Sequence, residues 1–269
     1  MGIAISNQPS TIMNSSNYAV SFNGSGILAT DWTFNASANT NLVPTFGQKY
    51  LVTTSGPSYN LSTEYLFNSL YEPVLTYVSG APTGVLPIQV VFGGQSGLFY
   101  LNNYSFNIQG MNSLTCAASL VAFREPSGQV QYSSSYNHSG FNEILTNAAN
   151  IFLEVEGSNF RCNSFDYSFS AQIAPKYMIG SGFPYEVAFL GSNEQISLSL
   201  WTGFMPSFYG DMSTNLFNGR ASIVIRNDNK SNFTREFRLP LSGFLLQSYE
   251  NNLRVNDIVR YSFSMVKIR

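Results

Sequence analysis

Asp31-Trp-Thr-Phe-Asn-Ala36 returns 135 positions later as Asp166-Tyr-Ser-Phe-Ser-Ala171, in a chain of 269 residues. In both copies aromatic and small apolar residues alternate with polar ones: Trp32, Phe34 and Ala36 against Thr33, Asn35 and Ser37, then Tyr167, Phe169 and Ala171 against Ser168, Ser170 and Gln172. Alternation with a period of two is the pattern of a half-buried β-strand. Outward from this stretch the same offset holds. Gly47-Gln-Lys-Tyr50 meets Gly182-Phe-Pro-Tyr185, Val52 meets Val187, and Asn60-Leu-Ser62 meets Gln195-Ile-Ser197. Short matches arise by chance in a chain rich in Asn, Ser and aromatics, but several at one offset point to an internal repeat. The expected organisation is two tandem antiparallel β-modules, sandwich or barrel, over residues 1–126 and 127–269. Arg124-Glu-Pro-Ser-Gly-Gln129 and Tyr132-Ser-Ser-Ser135 mark the boundary.

Strand signals dominate both halves. Tyr18–Phe22, Ile27–Ser37, Lys49–Thr54, Tyr59–Phe67, Leu86–Phe92, Leu98–Gln109 and Leu114–Phe123 are rich in branched and aromatic residues and end at turn formers. Gly93-Gly94 and Ser96-Gly97 suggest a hairpin between two of them. In the second half strands are expected at Phe165–Ile173, Tyr185–Leu190, Gln195–Trp201, Ala221–Arg226, Phe233–Leu239 and Ile258–Ile268. Each module has at most one short helix. Ser139–Ala149, with Phe141, Ile144, Leu145 and Ala148 on one face, is the better candidate. Asn68–Val78 is the weaker, because Pro73 would break or kink it.

Charged residues make up only 10% of the chain, against about 25% in an ordinary domain. The polar surface is therefore built of Asn, Ser, Thr, Gln and Tyr. Such a surface has little charge repulsion to keep copies apart and suits an assembly or a coat. With 22 Phe and 16 Tyr the chain is not of disordered composition. Residues 1–123 hold one cation, Lys49, and three acids, Asp31, Glu64 and Glu72. From Arg220 onward there are nine cations and four acids. This basic end reads either as guarded edge strands or as a docking surface for an acidic partner or nucleic acid. A net charge of −2 speaks against a dedicated DNA-binding protein.

No catalytic, cofactor-binding or metal-binding residues emerge. His138 is the single histidine and sits in a Ser- and Asn-rich stretch. There is no histidine pair, Cys-x-x-Cys or acidic loop with ligand spacing. Gly24-Ser-Gly26 and Gly180-Ser-Gly182 read as turns, not phosphate loops. Glu154 and Glu156 fall on one face of a candidate strand, the wet one. Asp31 and Asp166 are expected as turn or capping residues bonding their own backbone. Cys116 reads as a small core residue, and two cysteines make no disulfide framework. Neither a signal peptide nor an apolar run of membrane-spanning length is apparent. Sequons such as Asn14, Asn35 and Asn60 are a by-product of composition.

Phe165-Asp-Tyr-Ser-Phe-Ser-Ala171, Lys176-Tyr-Met-Ile-Gly-Ser181 and the strands through Glu186-Val187 and Ile196–Trp201 give a cadence of strand, short apolar turn ending in Gly-Ser, and strand. In this the chain resembles the tail-tube and tube-like baseplate proteins of bacteriophages. The resemblance implies modules of two packed antiparallel sheets with a flanking helix. It also implies rings of six modules whose inner sheets form one continuous barrel. A two-module chain would build such a ring as a trimer, a one-module chain as a hexamer. The expected function is then a non-enzymatic virion structural protein, assembled in the host cytoplasm. Its partners are copies of itself in a trimeric or hexameric ring, other tail or baseplate proteins, and DNA only as non-specific cargo of the lumen. A neutral Asn, Ser and Thr lumen lets DNA slide, where cations would hold phosphate. The nearly uncharged first half is the better candidate for that lumen or for a large interface. The alternatives are a β-sandwich adhesin or receptor-binding protein that recognises carbohydrate, and a jelly-roll capsid protein.

Overall fold

The computed structural model describes residues 20–38, 40–45, 48–53, 56–67, 72–80, 87–109, 114–128, 151–179, 181–201, 221–227, 235–252 and 260–268. The first half contains β1 (Val20–Phe22), β2 (Ser25–Ser37), β3 (Thr40–Thr45), β4 (Gln48–Thr53), β5 (Ser58–Leu66), α1 (Pro73–Gly80), β6 (Ile88–Phe92), β7 (Gln95–Gln109) and β8 (Thr115–Ala122). The second contains β9 (Ile151–Val155), β10 (Ser158–Tyr177), β11 (Pro184–Trp201), β12 (Ala221–Asn227), β13 (Arg235–Pro240), β14 (Leu245–Asn252) and β15 (Arg260–Ile268). The protein is mainly β, and all the described strand pairings are antiparallel.

Both halves open on the same turn. Asn23-Gly24 takes φ angles of 48° and 80°, and Glu156-Gly157 takes 49° and 83°. Two successive left-handed residues give the tight turn whose twist suits a hairpin. Glycine supplies the second at no steric cost. The turns join β1 to β2 and β9 to β10.

The order of pairing then repeats. In the first half β1 lies between β2 and β6, β6 meets β7, β7 meets β8, β8 meets β5, and β5 returns to β2. In the second, β9 lies between β10 and β12, β12 meets β13, β14 meets β15, β15 meets β11, and β11 returns to β10. Strand β7 runs unbroken from the smaller sheet into the larger. Its counterpart is split into β13 and β14 by a turn that bonds Phe244 N–H to Leu241 O at 3.1 Å. The register breaks also repeat. They fall between Ala29 and Asp31 and between Cys162 and Ser164, then between Leu101 and Asn103 and between Leu246 and Ser248. A bulge sharpens local twist, so each long strand bends at its bulge and serves two sheets.

The halves share one sheet. Asn103 to Gln109 of β7 pairs with Ser164 to Ser170 of β10. The larger sheet therefore runs β2-β5-β8-β7-β10-β11-β15-β14 without interruption. Its inner face carries the buried residues, including Leu61, Tyr65, Leu120, Tyr104 and Phe106 in the first half and Phe165, Tyr167, Ile196, Leu198, Phe263 and Met265 in the second. These belong to one continuous hydrophobic cluster. At the seam Phe106 lies 5.2 Å from Phe165 and 5.3 Å from Tyr167, centroid to centroid.

Several expectations need correction. Pro73 starts α1 instead of breaking it. As the first helical residue it has no N–H to satisfy and its φ is preset. The Glu72 carboxylate just before it accepts the Val74 N–H at 3.3 Å and caps the helix. Residues 185–201 lie within one strand, β11, because Gly191 sits at a register shift and not at a turn. Strands β3 and β14 were not read from sequence. Ser127 belongs with the first half, exchanging two backbone hydrogen bonds of 2.8 Å with Ser96. The helix expected at Ser139–Ala149, His138 and Gly47 lie outside the described residues.

Candidate functional site: one polar sheet face and two open edges

Alternation along the eight strands sends every second side chain away from the core. On β2 these are Asp31, Thr33, Asn35 and Ser37, and on β5 they are Asn60, Ser62 and Glu64. Asn103, Ser105 and Asn107 follow on β7, Ser164, Asp166, Ser168 and Ser170 on β10, Gln195, Ser197 and Ser199 on β11, Ser262 and Ser264 on β15, and Ser248 and Glu250 on β14. Three shallow, open depressions of about 250, 400 and 460 Å³ lie along this face, one at each side of the β7–β10 seam and one over it. Over the stretch shared by these strands the described charges are the carboxylates of Asp31, Glu64, Asp166 and Glu250; farther along β10 and β11 Lys176 is paired with Glu186 at 3.0 Å.

Asp31 and Asp166 are thus neither turn nor capping residues. Both lie within strands and point outward, because the bulge before each resets which residues face the core. Nor are they counterparts. Asp31 is the first paired residue after its bulge, opposite Glu64, and the matching pair in the second half is Ser164 opposite Ser199. The two serine hydroxyls bond at 2.7 Å. Asp31 also accepts a hydrogen bond at its backbone oxygen from Thr63 Oγ1, 3.0 Å away. Partial burial pushes the Asp166 carboxyl above its ordinary range.

Glu154 and Glu156 do not share a face, because Glu156 sits in the β9–β10 turn at positive φ. Glu154 receives a forked pair of hydrogen bonds from Arg238, at 2.7 and 3.2 Å. Arg238 also bonds Glu236 at 2.7 Å, and Arg226 approaches Glu236 at 3.4 Å. Arg226 further lies 5.1 Å from the centre of the Phe152 ring. These two arginines of the basic end are therefore engaged within the chain, on the outward side of β9, β12 and β13. They are well away from the Ser-rich face.

The sheet's edges differ from its middle. Among the described strands nothing pairs with the outer side of β14 or of the second half of β2. The inward aromatics there are Trp32, Phe34 and Tyr249, all half-exposed. Unpaired backbone groups with half-covered aromatics are the mark of a strand that accepts another.

Each half buries a tyrosine hydroxyl on a carboxylate: Tyr167 donates to Glu194 Oε2 at 3.1 Å in the second half, and a larger cluster lies in the first. The Tyr65 hydroxyl donates to Glu72 Oε1 at 2.5 Å, and the Tyr104 hydroxyl donates to Cys116 Sγ at 3.5 Å. Burial pushes the Glu72 carboxyl up to about 7, against the partial relief of those hydrogen bonds. Cys116 and Cys162 are both buried free thiols, raised by desolvation. Among the described residues no three His, Cys, Asp or Glu side chains come together as metal ligands. No described helix is long and apolar enough to cross a membrane. The sequence matches no family model and no curated protein. The edges were missed from sequence because β14, Leu-Leu-Gln-Ser-Tyr-Glu-Asn-Asn, lacks branched residues and its bulge spoils the alternation.

Proposed function

We propose that the chain is a virion structural protein that forms a closed ring of a phage tail tube or baseplate hub by joining sheet edges. The observation that carries this reading is the seam. Strand β7, the outermost strand of the first half in the larger sheet, pairs with β10, which occupies in the second half the place of β2. The contact is therefore head to tail. Each chain uses it once internally and keeps its two unmatched halves, β14 at one end and β2 at the other. A head-to-tail contact generates rings when its rotation closes. The repeat of pairing order, turns and bulges favours a duplicated module, and three chains would then supply the six modules of a tube-like ring.

The eight-stranded sheet would line the lumen with its Ser, Thr and Asn face. Four carboxylates, with Lys176 already neutralised by Glu186, make a wall that repels phosphate, so DNA passes without being held. The face is shared equally by both halves, instead of belonging to the nearly uncharged first half. Other tail or baseplate proteins would meet the ring outside this wall. The carbohydrate-binding adhesin needs aromatic platforms on its polar face, whereas Phe34 and Tyr59 stack on each other, 6.2 Å between centroids, and pack against the core, and the exposed Phe183 and Tyr185 lie at the β10–β11 connection.

Sedimentation and electron microscopy of the purified full chain test the reading. Rings with the mass of three chains are expected, with an open centre. A protein that stays monomeric at assembly concentrations and binds a glycan would replace this reading with the adhesin.

A further inference from the structure

The seam gives more than the existence of a contact, because its register can be carried to the open edges. Matching turns and bulges make the two halves count in step. After the β2 and β10 bulges, Thr33, Phe34, Asn35, Ala36 and Ser37 correspond to Asp166, Tyr167, Ser168, Phe169 and Ser170. After the β7 and β14 bulges, Asn103, Tyr104, Ser105, Phe106 and Asn107 correspond to Ser248, Tyr249, Glu250, Asn251 and Asn252. Within the chain Asn103 pairs with Ser170, Ser105 with Ser168, and Asn107 with Asp166.

We infer that β14 of one chain pairs antiparallel with β2 of a second copy, with Ser248 opposite Ser37, Glu250 opposite Asn35 and Asn252 opposite Thr33. The inference rests on the ring reading and fixes its partner, its two strands and its register. Three observations carry it. The new ladder continues an existing one, β7–β10, whose two strands occupy the same places in their halves. Inward aromatics lose cover at the edges: Trp32, Phe34 and Tyr249 are only partly buried, while their counterparts Phe165, Tyr167 and Tyr104 are buried at 0%, 1% and 1%. The second copy restores that burial. Finally, this register sets Glu250 opposite a carboxamide and a polar residue opposite each outward one, so no like charges meet across its described length.

Directly opposite residues of an antiparallel pair lie about 4.5–5.5 Å apart at Cα, within the roughly 4.4–6.8 Å reach of a disulfide. Full chains carrying Asn35→Cys are mixed with chains carrying Glu250→Cys and oxidised, and the covalent dimer is measured on a non-reducing gel. The native thiols are buried, and the unsubstituted chain gives the background. Sedimentation of each mixture before oxidation reports assembly. The Asn35 and Glu250 pair is expected to cross-link at least fivefold more than Thr33→Cys or Ser37→Cys mixed with Glu250→Cys. If the chains form rings but cross-link best at a displaced pair, or at none, the register is overturned and the ring stands. If the mixture stays monomeric and yields no cross-link, both fall.

Discussion

The seam between β7 and β10 and the outer edges of β2 and β14 are built from corresponding strands, yet their side chains fare differently. Tyr167 at the seam is 1% exposed, while Phe34, in the same place on β2, is half-exposed. Phe106 packs against Phe67, Tyr104, Phe165 and Tyr167, with centroids 5.2 to 6.0 Å away. Phe34 has Phe92 at 5.1 Å and Tyr59 at 6.2 Å, and nothing described beyond the edge. On β2 and β10 the alternation of apolar and polar residues is the same, although Ala36 stands where β10 has Phe169. Burial is decided by whether the next strand is present, so exposure at the edges measures what a second copy would supply.

The sharpest way to break the comparison is to cut one ring on each side of it. Phe106→Ala removes a core aromatic that bridges both halves and should cost about 3–5 kcal/mol. Phe34→Ala should cost the isolated chain only about 1–2 kcal/mol, because its ring is only partly buried. Urea unfolding of dilute protein gives both numbers. Equal losses would mean that the β2 edge is covered within one chain, and the contrast would collapse.

The two halves place their buried carboxylates differently. Tyr65 and Glu72 bond in the first core; in the second half Leu200 fills the place of Tyr65 on β11, and the buried pair is Tyr167 with Glu194. The Glu72 carboxyl titrates at about 7 when folded, against 4.5 when free. The folded chain therefore holds this proton more tightly than the unfolded one. That contribution is complete below about pH 4.5, falls as pH rises toward 7, and is gone above it. The span is about 3 kcal/mol, at 1.36 kcal/mol per pH unit. Glu72→Gln should flatten the decline and leave the variant more stable than the parent at pH 8. An unchanged pH profile would remove Glu72 from the account.

Ala36 tests the edge without disturbing the fold. It is exposed in the single chain, and its counterpart Phe169 is 7% exposed under β7. Ala36→Asp should change the stability of dilute protein by less than about 0.5 kcal/mol. In a ring it would bury an unpaired carboxylate, at a cost of about 2–3 kcal/mol or more, and so weaken assembly at least a hundredfold by sedimentation. Rings of normal strength would show that β2 lies outside the contact.

Much of this was legible in the residues. The β class, most strands and an echo between halves follow from alternation and turn formers. The register of the echo did not. At the 135 spacing Phe34 falls on Phe169, yet the hairpin turns and bulges match Phe34 to Tyr167, two residues away. Both strands carry an apolar residue at every second position, so a slip of two leaves the pattern intact. What fixes the count is the position of the turn, and Asn23-Gly24 shares only its glycine with Glu156-Gly157. On β5 and β11 the spacing held, matching Leu61 to Ile196. The polar face was half legible, since its residues are visible as the polar member of each alternation. The edges were not, because sequence does not say which strand comes last.

The smallest effect sits on that face, where corresponding pairs carry different chemistry. Asp31 stands opposite Glu64 and Ser164 opposite Ser199, each pair just beyond its bulge. Like charges directly across a ladder destabilise it, and a hydroxyl pair stabilises it, each by roughly 0.2–1 kcal/mol. If the halves share one backbone plan, the pairs should be interchangeable. Asp31→Ser with Glu64→Ser should then stabilise the chain by roughly 0.5 kcal/mol at low salt. The gain should shrink as salt screens the carboxylates it removes. Thermal unfolding in 20 mM and 500 mM salt separates this from a gain in strand propensity, which salt would leave alone. The fold has no use for the acidic pair, and a chain that keeps one on a Ser-rich wall pays for it in stability. If the proposed ring forms, a wall that must not hold phosphate would give the pair a reason. The double serine variant should therefore assemble normally, and its rings should retain more DNA on passage through a low-salt column than the parent. Equal retention would leave Asp31 and Glu64 without a role in the lumen.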